Sequence, residues 1–170
     1  MTTQGLEPAR SADETAALEA VTAGALGRDL GLTPAHLDVA LRIADGLRRR
    51  GAHAEALRMC ATIVLCEPRR FEFQAALAAC ALEADQPYVA IQAAAAMIAE
   101  APRDPRGYLL SGRACLRAGE WAEAIEDLSN AADRANEAGR AAEESEARNL
   151  LAGLRQASQQ SAPRVGQFAG

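Results

Sequence analysis

Residues 105–138 read PRGYLLSGRACLRAGEWAEAIEDLSNAADRANEA. Tyr108, Gly112, Gly119, Ala124 and Ala131 punctuate the stretch, and two of these positions return elsewhere at a fixed interval. Counting back from Ala124 in steps of 34 residues reaches Ala90 and Ala56; from Gly119 the same step reaches Asp85 and Gly51. Pro68 and Pro102 form a third series, with Asn136 where the next proline would fall. Glycine accepts the positive φ of a tight turn, which most residues resist. Alanine at a recurring place lets two helices approach closely. Each unit therefore reads as helix, turn, helix, closed by a residue that cannot continue the second helix.

This period, with a small residue in the second helix and proline at the unit's end, is the tetratricopeptide pattern. Such a unit cannot bury its apolar face alone, so stacked copies share a core and leave a long concave surface. The expected architecture is an all-α solenoid with three helix-turn-helix repeats over 37–138: 37–70, 71–104 and 105–138. In the first, one helix ends near Arg50, Gly51 turns the chain and a second helix covers 54–66. The second turns at Asp85, Gln86 and Pro87, the third at Gly119. Residues 1–12 form a polar tail expected to be disordered. Residues 13–36 form an N-terminal helical segment, with Leu18, Val21 and Ala25 on one face of a helix over 13–26. Gly27 and Gly31 are expected to break the chain there. Thr33 and Pro34 restart it as N-cap and first helical residue. Residues 139–158 read as a capping helix, with Leu150, Leu151 and Leu154 as an apolar seam and Glu143, Glu144 and Glu146 facing outward. Residues 159–170 form a flexible tail.

Composition agrees with helices. About a quarter of the residues are Ala, the best helix former, and no period-two run of β-branched residues indicates a strand. Aromatics make up 4%, so the core must be close-packed Ala and Leu. The net charge is −5 and no basic stripe stands out, which argues against nucleic acid. Arg48, Arg49 and Arg50 sit at a helix end, where cations complement the dipole. All 18 basic residues are Arg, and no function follows from that at this level. No run approaches the ~18 apolar residues of a membrane span, so no membrane insertion is expected. Polar residues 2–14 lack the apolar core of a signal peptide, and the chain reads as cytoplasmic.

Chemistry is not indicated. Cys60, Cys66, Cys80 and Cys115 match no zinc or redox signature and read as reduced, small apolar core residues. His36 lies at a helix start and His53 at a turn, neither with metal-ligand partners, so both read as exposed turn residues. No nucleophile elbow or phosphate loop is present. The expectation is no enzyme, no metal and no cofactor.

In a tetratricopeptide stack the first helix of each repeat lines the concave side. With position one at Leu37, Phe71 and Pro105, the inward positions are two, five, nine and twelve. These are Asp38, Leu41, Asp45 and Arg48; then Glu72, Ala75, Ala79 and Leu82; then Arg106, Leu109, Arg113 and Leu116. Arg42, Arg49 and Arg117 lie beside them. Small and aliphatic residues at the centre, with charges at the edges, suit an extended peptide with a few apolar anchors.

Several stretches resemble one family. Residues 28–34 (RDLGLTP) resemble its lead-in to the first repeat. Phe71, Glu72 and Phe73 with 77–80 (LAAC) and 88–91 (YVAI) are similar to its second repeat. Residues 113–119 (RACLRAG) with 121–124 (WAEA) are similar to its third, and 144–148 (ESEAR) with Leu150 and Leu151 resemble its closing helix. The family is SycD/LcrH, the class II chaperones of bacterial type III secretion, and the resemblance covers about residues 28–156. It implies a bacterial cytoplasmic chaperone that holds hydrophobic translocator proteins through an extended segment and keeps them secretion-competent. It also implies weak homodimerisation through the N-terminal helix, with folding back onto the repeats as the alternative. Where family members carry aromatics along the first helix, this chain has Ala40, Ala44 and Leu47, which implies a shallower groove. A general tetratricopeptide adaptor joining folded partners shares the periodic residues and is the second reading.

Overall fold

The computed structural model describes residues 25–161. The expected helix over 13–26, up to its last two residues, and the chain beyond 161 lie outside them. Eight helices and no strand occur among the described residues: α1 (Ala25–Asp29), α2 (Pro34–Arg49), α3 (His53–Cys66), α4 (Phe71–Glu83), α5 (Pro87–Glu100), α6 (Pro105–Ala118), α7 (Trp121–Glu137) and α8 (Ala141–Ser161). The pairs α2/α3, α4/α5 and α6/α7 are the three helix-turn-helix units. Each helix packs on its chain neighbour, α2 also touches α4, and α4 touches α6. The α8 helix closes the stack against α7 and α6, and it runs three residues past its expected end.

Local chemistry sets the boundaries. Thr33 caps α2: its Oγ1 accepts from the His36 N–H at 3.3 Å, and the Thr33 N–H donates to His36 Nδ1 at 3.2 Å. His36 thus acts as the return partner in a capping box, the place usually held by Glu or Gln. Asp104 caps α6, its Oδ1 accepting from the Arg106 N–H at 3.0 Å. Pro34, Pro87 and Pro105 each open a helix, where the missing N–H costs nothing. The turns between paired helices pass through positive φ at Gly51 (78°), Asp85 (55°) and Gly119 (82°), the three members of one sequence series.

Packing follows the same period. Ala56, Ala90 and Ala124 are fully buried where paired helices cross. At position eight of the first helices stand Ala44, Ala78 and Gly112, and sixteen residues later Cys60, Ala94 and Leu128, all buried. Small faces larger where it must: a Cβ on Gly112 would lie 2.7 Å from Leu128 Cγ. Phe73 is the exception to the Ala and Leu core, fully buried with Leu37, Ile63 and Cys66. Gly27 is a correction. It does not break the chain but lies buried within α1, where an added Cβ would meet Cys66 Cβ at 3.1 Å. Gly31, at φ 69°, is the residue that ends the segment.

The repeats are joined by arginines. Arg106 Nη1 reaches Glu72 at 3.1 Å, Arg48 reaches Glu83 at 2.8 Å, and Arg70 reaches Asp38 at 2.6 Å. Arg69 with Glu100, Arg113 with Glu146, Arg117 with Asp85 and Arg140 with Asp104 continue the series. Each pair spans 31–36 residues, close to one period, so each links a repeat to the next. The guanidinium fork serves two partners and stacks on rings, which an ammonium does less well. Arg106 and Arg70 show both habits, lying 4.4 Å over Phe71 and 4.2 Å over Phe73. The all-arginine composition thus has a structural use.

Candidate functional site

A cavity of about 480 Å³ opens between α2 and α4. Its α2 wall is Leu41, Arg42, Ala44, Asp45 and Arg48; its α4 wall is Glu72, Ala75, Ala76, Ala79 and Cys80; Cys60 of α3 closes the floor. The helical period explains the walls, because Leu41, Asp45 and Arg48 share one face of α2, and Ala75, Ala76 and Ala79 one face of α4. Three alanines in a row leave the space that larger residues would fill. The rim is charged. Arg48 is held at 2.9 Å by Asp45 and at 2.8 Å by Glu83, and Arg49 also pairs with Asp45. The hydrogen bond from Arg48 leads the interactions that hold the Asp45 carboxyl below its usual pKa, against some burial. Glu72 is engaged by Arg106. No ion pair occupies Arg42.

Six of the twelve residues assigned to the groove from sequence line this cavity: Leu41, Asp45, Arg48, Glu72, Ala75 and Ala79. The others sit elsewhere. Asp38 is turned to Arg70, and Arg106 to Asp104 and Glu72. Arg113 pairs with Glu146 of α8 at 3.4 Å. Leu82 and Leu109 are buried, 5% and 6% exposed. Leu82 belongs to the core of the first two repeats, and Leu109 packs with Leu128, Ala147 and Leu151. Leu116 is partly buried against that second cluster. Position counting places a residue on the inner face without showing which neighbours cover it. Here α8 follows the third repeat as a further first helix would, and the apolar residues of α6 are taken up beneath it.

Sequence reasoning did not place Cys60 and Cys80 in this site. They lie side by side in its floor, Sγ to Sγ 3.4 Å. Their separation of 20 residues is not a multiple of the repeat, so the period gave no signal. His53 is likewise more than a bare turn residue, its Nδ1 lying 3.3 Å from Glu83 of the next repeat. Among the described residues no group of three or more His, Cys, Asp or Glu converges as a metal site would require. No helix of the described residues is long and apolar enough to cross a membrane.

No protein-family model matches the chain, and neither does any curated protein sequence. Solved structures do match. A chain of a type III secretion system complex from Aeromonas hydrophila superposes with a TM-score of 0.74 at 18% identity, covering 87% of this chain and 100% of that one. The Yersinia enterocolitica secretion chaperone SycD, in complex with a peptide of the translocator YopD, gives 0.66 at 19% identity, covering 74% and 97%. The first tetratricopeptide domain of Spaghetti (RPAP3), bound to an HSP90 peptide, gives 0.65 at 16%, covering 75% and 96%. The fold of this chain is therefore the tetratricopeptide-repeat fold, in the arrangement seen in translocator chaperones.

Proposed function

We propose that this protein is a class II chaperone of bacterial type III secretion that holds an extended, apolar segment of a translocator in the groove between α2 and α4. The observation that carries the reading is the cavity itself. An apolar floor of Ala75, Ala76 and Ala79 faces Leu41, and the rim is charged but already ion-paired. Such a surface accepts apolar side chains of a peptide and offers few bare cations. Binding an extended segment incurs an ordering cost, so a few buried anchors must supply most of the affinity. The fold shared with SycD, whose structure holds a YopD peptide, supports the same reading. The groove residues we assign are Leu41, Asp45, Arg48, Glu72, Ala75 and Ala79. Weak self-association through the N-terminal segment and a cytoplasmic location belong to this reading, and a catalytic role does not.

The adaptor reading rests on the likeness to the HSP90-peptide-binding domain. An acidic peptide ending needs free cations in the groove. Of the two arginines lining it, Arg48 is held by Asp45 and Glu83, and only Arg42 is unpaired, which favours the chaperone. Calorimetry with the N-terminal region of a type III translocator tests the choice. Ala79→Glu is expected to abolish binding with helix content retained, while Gln92→Glu, on an exposed side of α5, leaves it unchanged. Equal binding by both variants would remove the groove mechanism.

A further inference from the structure

Two thiols in contact beneath a solvent-reachable cavity are an unusual pairing in a chain whose other two cysteines stand apart. Cys60 Sγ and Cys80 Sγ are 3.4 Å apart, one on α3 and the other on α4, and both contribute to the floor of the 480 Å³ groove. A disulfide needs the sulfurs at about 2.05 Å, so closure asks for a further approach of little more than an ångström. No sulfur partners Cys66 or Cys115, although both are buried. We propose that Cys60 and Cys80 are a peroxide-oxidisable dithiol, a disulfide-forming modification site in the groove floor that locks the first repeat to the second.

The surroundings assign the order of events. The hydrogen bond from Cys60, aided by the charge of Arg48, holds Cys80 below the usual thiol pKa against burial and the nearby carboxylates of Glu83 and Asp45. That same hydrogen bond, with burial, pushes Cys60 up. Cys80 is therefore the attacking thiolate. It takes one oxygen from hydrogen peroxide, giving a sulfenic acid and releasing hydroxide, which is protonated to water. The Cys60 sulfur then attacks the sulfenyl sulfur, forming the S–S bond. Its own proton leaves with the expelled hydroxide as a second water. Two thiols and one peroxide give one disulfide and two waters. The groove admits the oxidant, and a small dithiol reverses the bond. The site does not depend on what the groove binds.

The test is oxidation of the native chain by graded hydrogen peroxide, then alkylation, proteolysis and mass spectrometry. The expected product is one linkage joining the peptides that carry Cys60 and Cys80, lighter by two hydrogens and cleaved by dithiothreitol, with Cys66 and Cys115 alkylated. The melting temperature of the parent is expected to rise on the order of 5–10 °C on oxidation, with no rise in Cys60→Ala or Cys80→Ala. If a single variant fails to fold, the linkage map of the parent decides alone. The proposal is overturned if both thiols remain free at peroxide levels that fully oxidise glutathione, or if the linkage involves Cys66 or Cys115.

Discussion

Asp85 holds a backbone conformation that its two counterparts give to glycine. It turns α4 into α5 at φ 55°, where Gly51 and Gly119 stand in the other repeats. The left-handed region costs an L-residue roughly 1–2 kcal/mol, less for Asp, and the Arg117 contact at 3.7 Å is too exposed to offset much. Asp85→Gly is expected to raise stability by about 0.5–1 kcal/mol, read as a higher urea midpoint with an unchanged slope. Gly112 shows the opposite case. A methyl group there meets Leu128 at 2.7 Å, so Gly112→Ala is expected to lower stability by about 1–3 kcal/mol; an unchanged melting curve would show that Leu128 moves freely. Both glycine roles could be inferred from the sequence series, because a fixed place in a period implies a fixed conformation. Gly27 was not legible in this way, since its neighbour Cys66 is 39 positions away and belongs to no series with it.

The start of α6 concentrates charge and capping in one residue. Asp104 accepts from the Arg106 N–H and pairs with Arg106 at 3.0 Å and Arg140 at 3.2 Å, its side chain 14% exposed. Burial raises its pKa, but the hydrogen bonds and charges of Arg106, joined by Arg140, outweigh that and leave it lowered. A lowered folded pKa means stability that is present above the ordinary Asp value of about 3.9 and lost as pH falls through the folded one. Asp104→Asn keeps a capping side chain but no charge. It is expected to cost about 1 kcal/mol at neutral pH, with a deficit that shrinks towards acid in a pH series of denaturant titrations. Asp127 on α7 carries the reverse sign. Burial raises its pKa despite a hydrogen bond to Ser111, and Glu126 and Glu123 add to the rise. Its penalty is absent at low pH and sets in as pH rises through the ordinary value towards the folded one. Asp127→Asn is therefore expected to stabilise at neutral pH and to lose that gain below about pH 4. A gain of the same size at all pH values would contradict the assignment.

For the whole stack, the inter-repeat arginines and the buried alanines act together. Ala90 is fully buried where α4 and α5 cross, and Ala90→Leu is expected to lower stability by about 1–3 kcal/mol, seen in thermal unfolding. The fold was readable because every repeat restates the same steric requirement at the same interval. The groove was half readable. Counting found Leu41, Asp45, Arg48, Glu72, Ala75 and Ala79, but could not tell that α8 takes up Leu109 and that the core absorbs Leu82. Contacts between elements that obey no period, such as Cys60 with Cys80, leave no trace in a single sequence. The small-to-large pairing described for Gly112 and Leu128 has a consequence of its own: the modules are keyed and cannot be permuted. Exchanging α4 for α6 would set Ala78 against Leu128, where no Cβ fits, and Gly112 against Ala94, where a hollow would remain. A chain that grew by copying one unit has since made each copy specific to its address, so shuffled orders of the same three parts should fail to assemble.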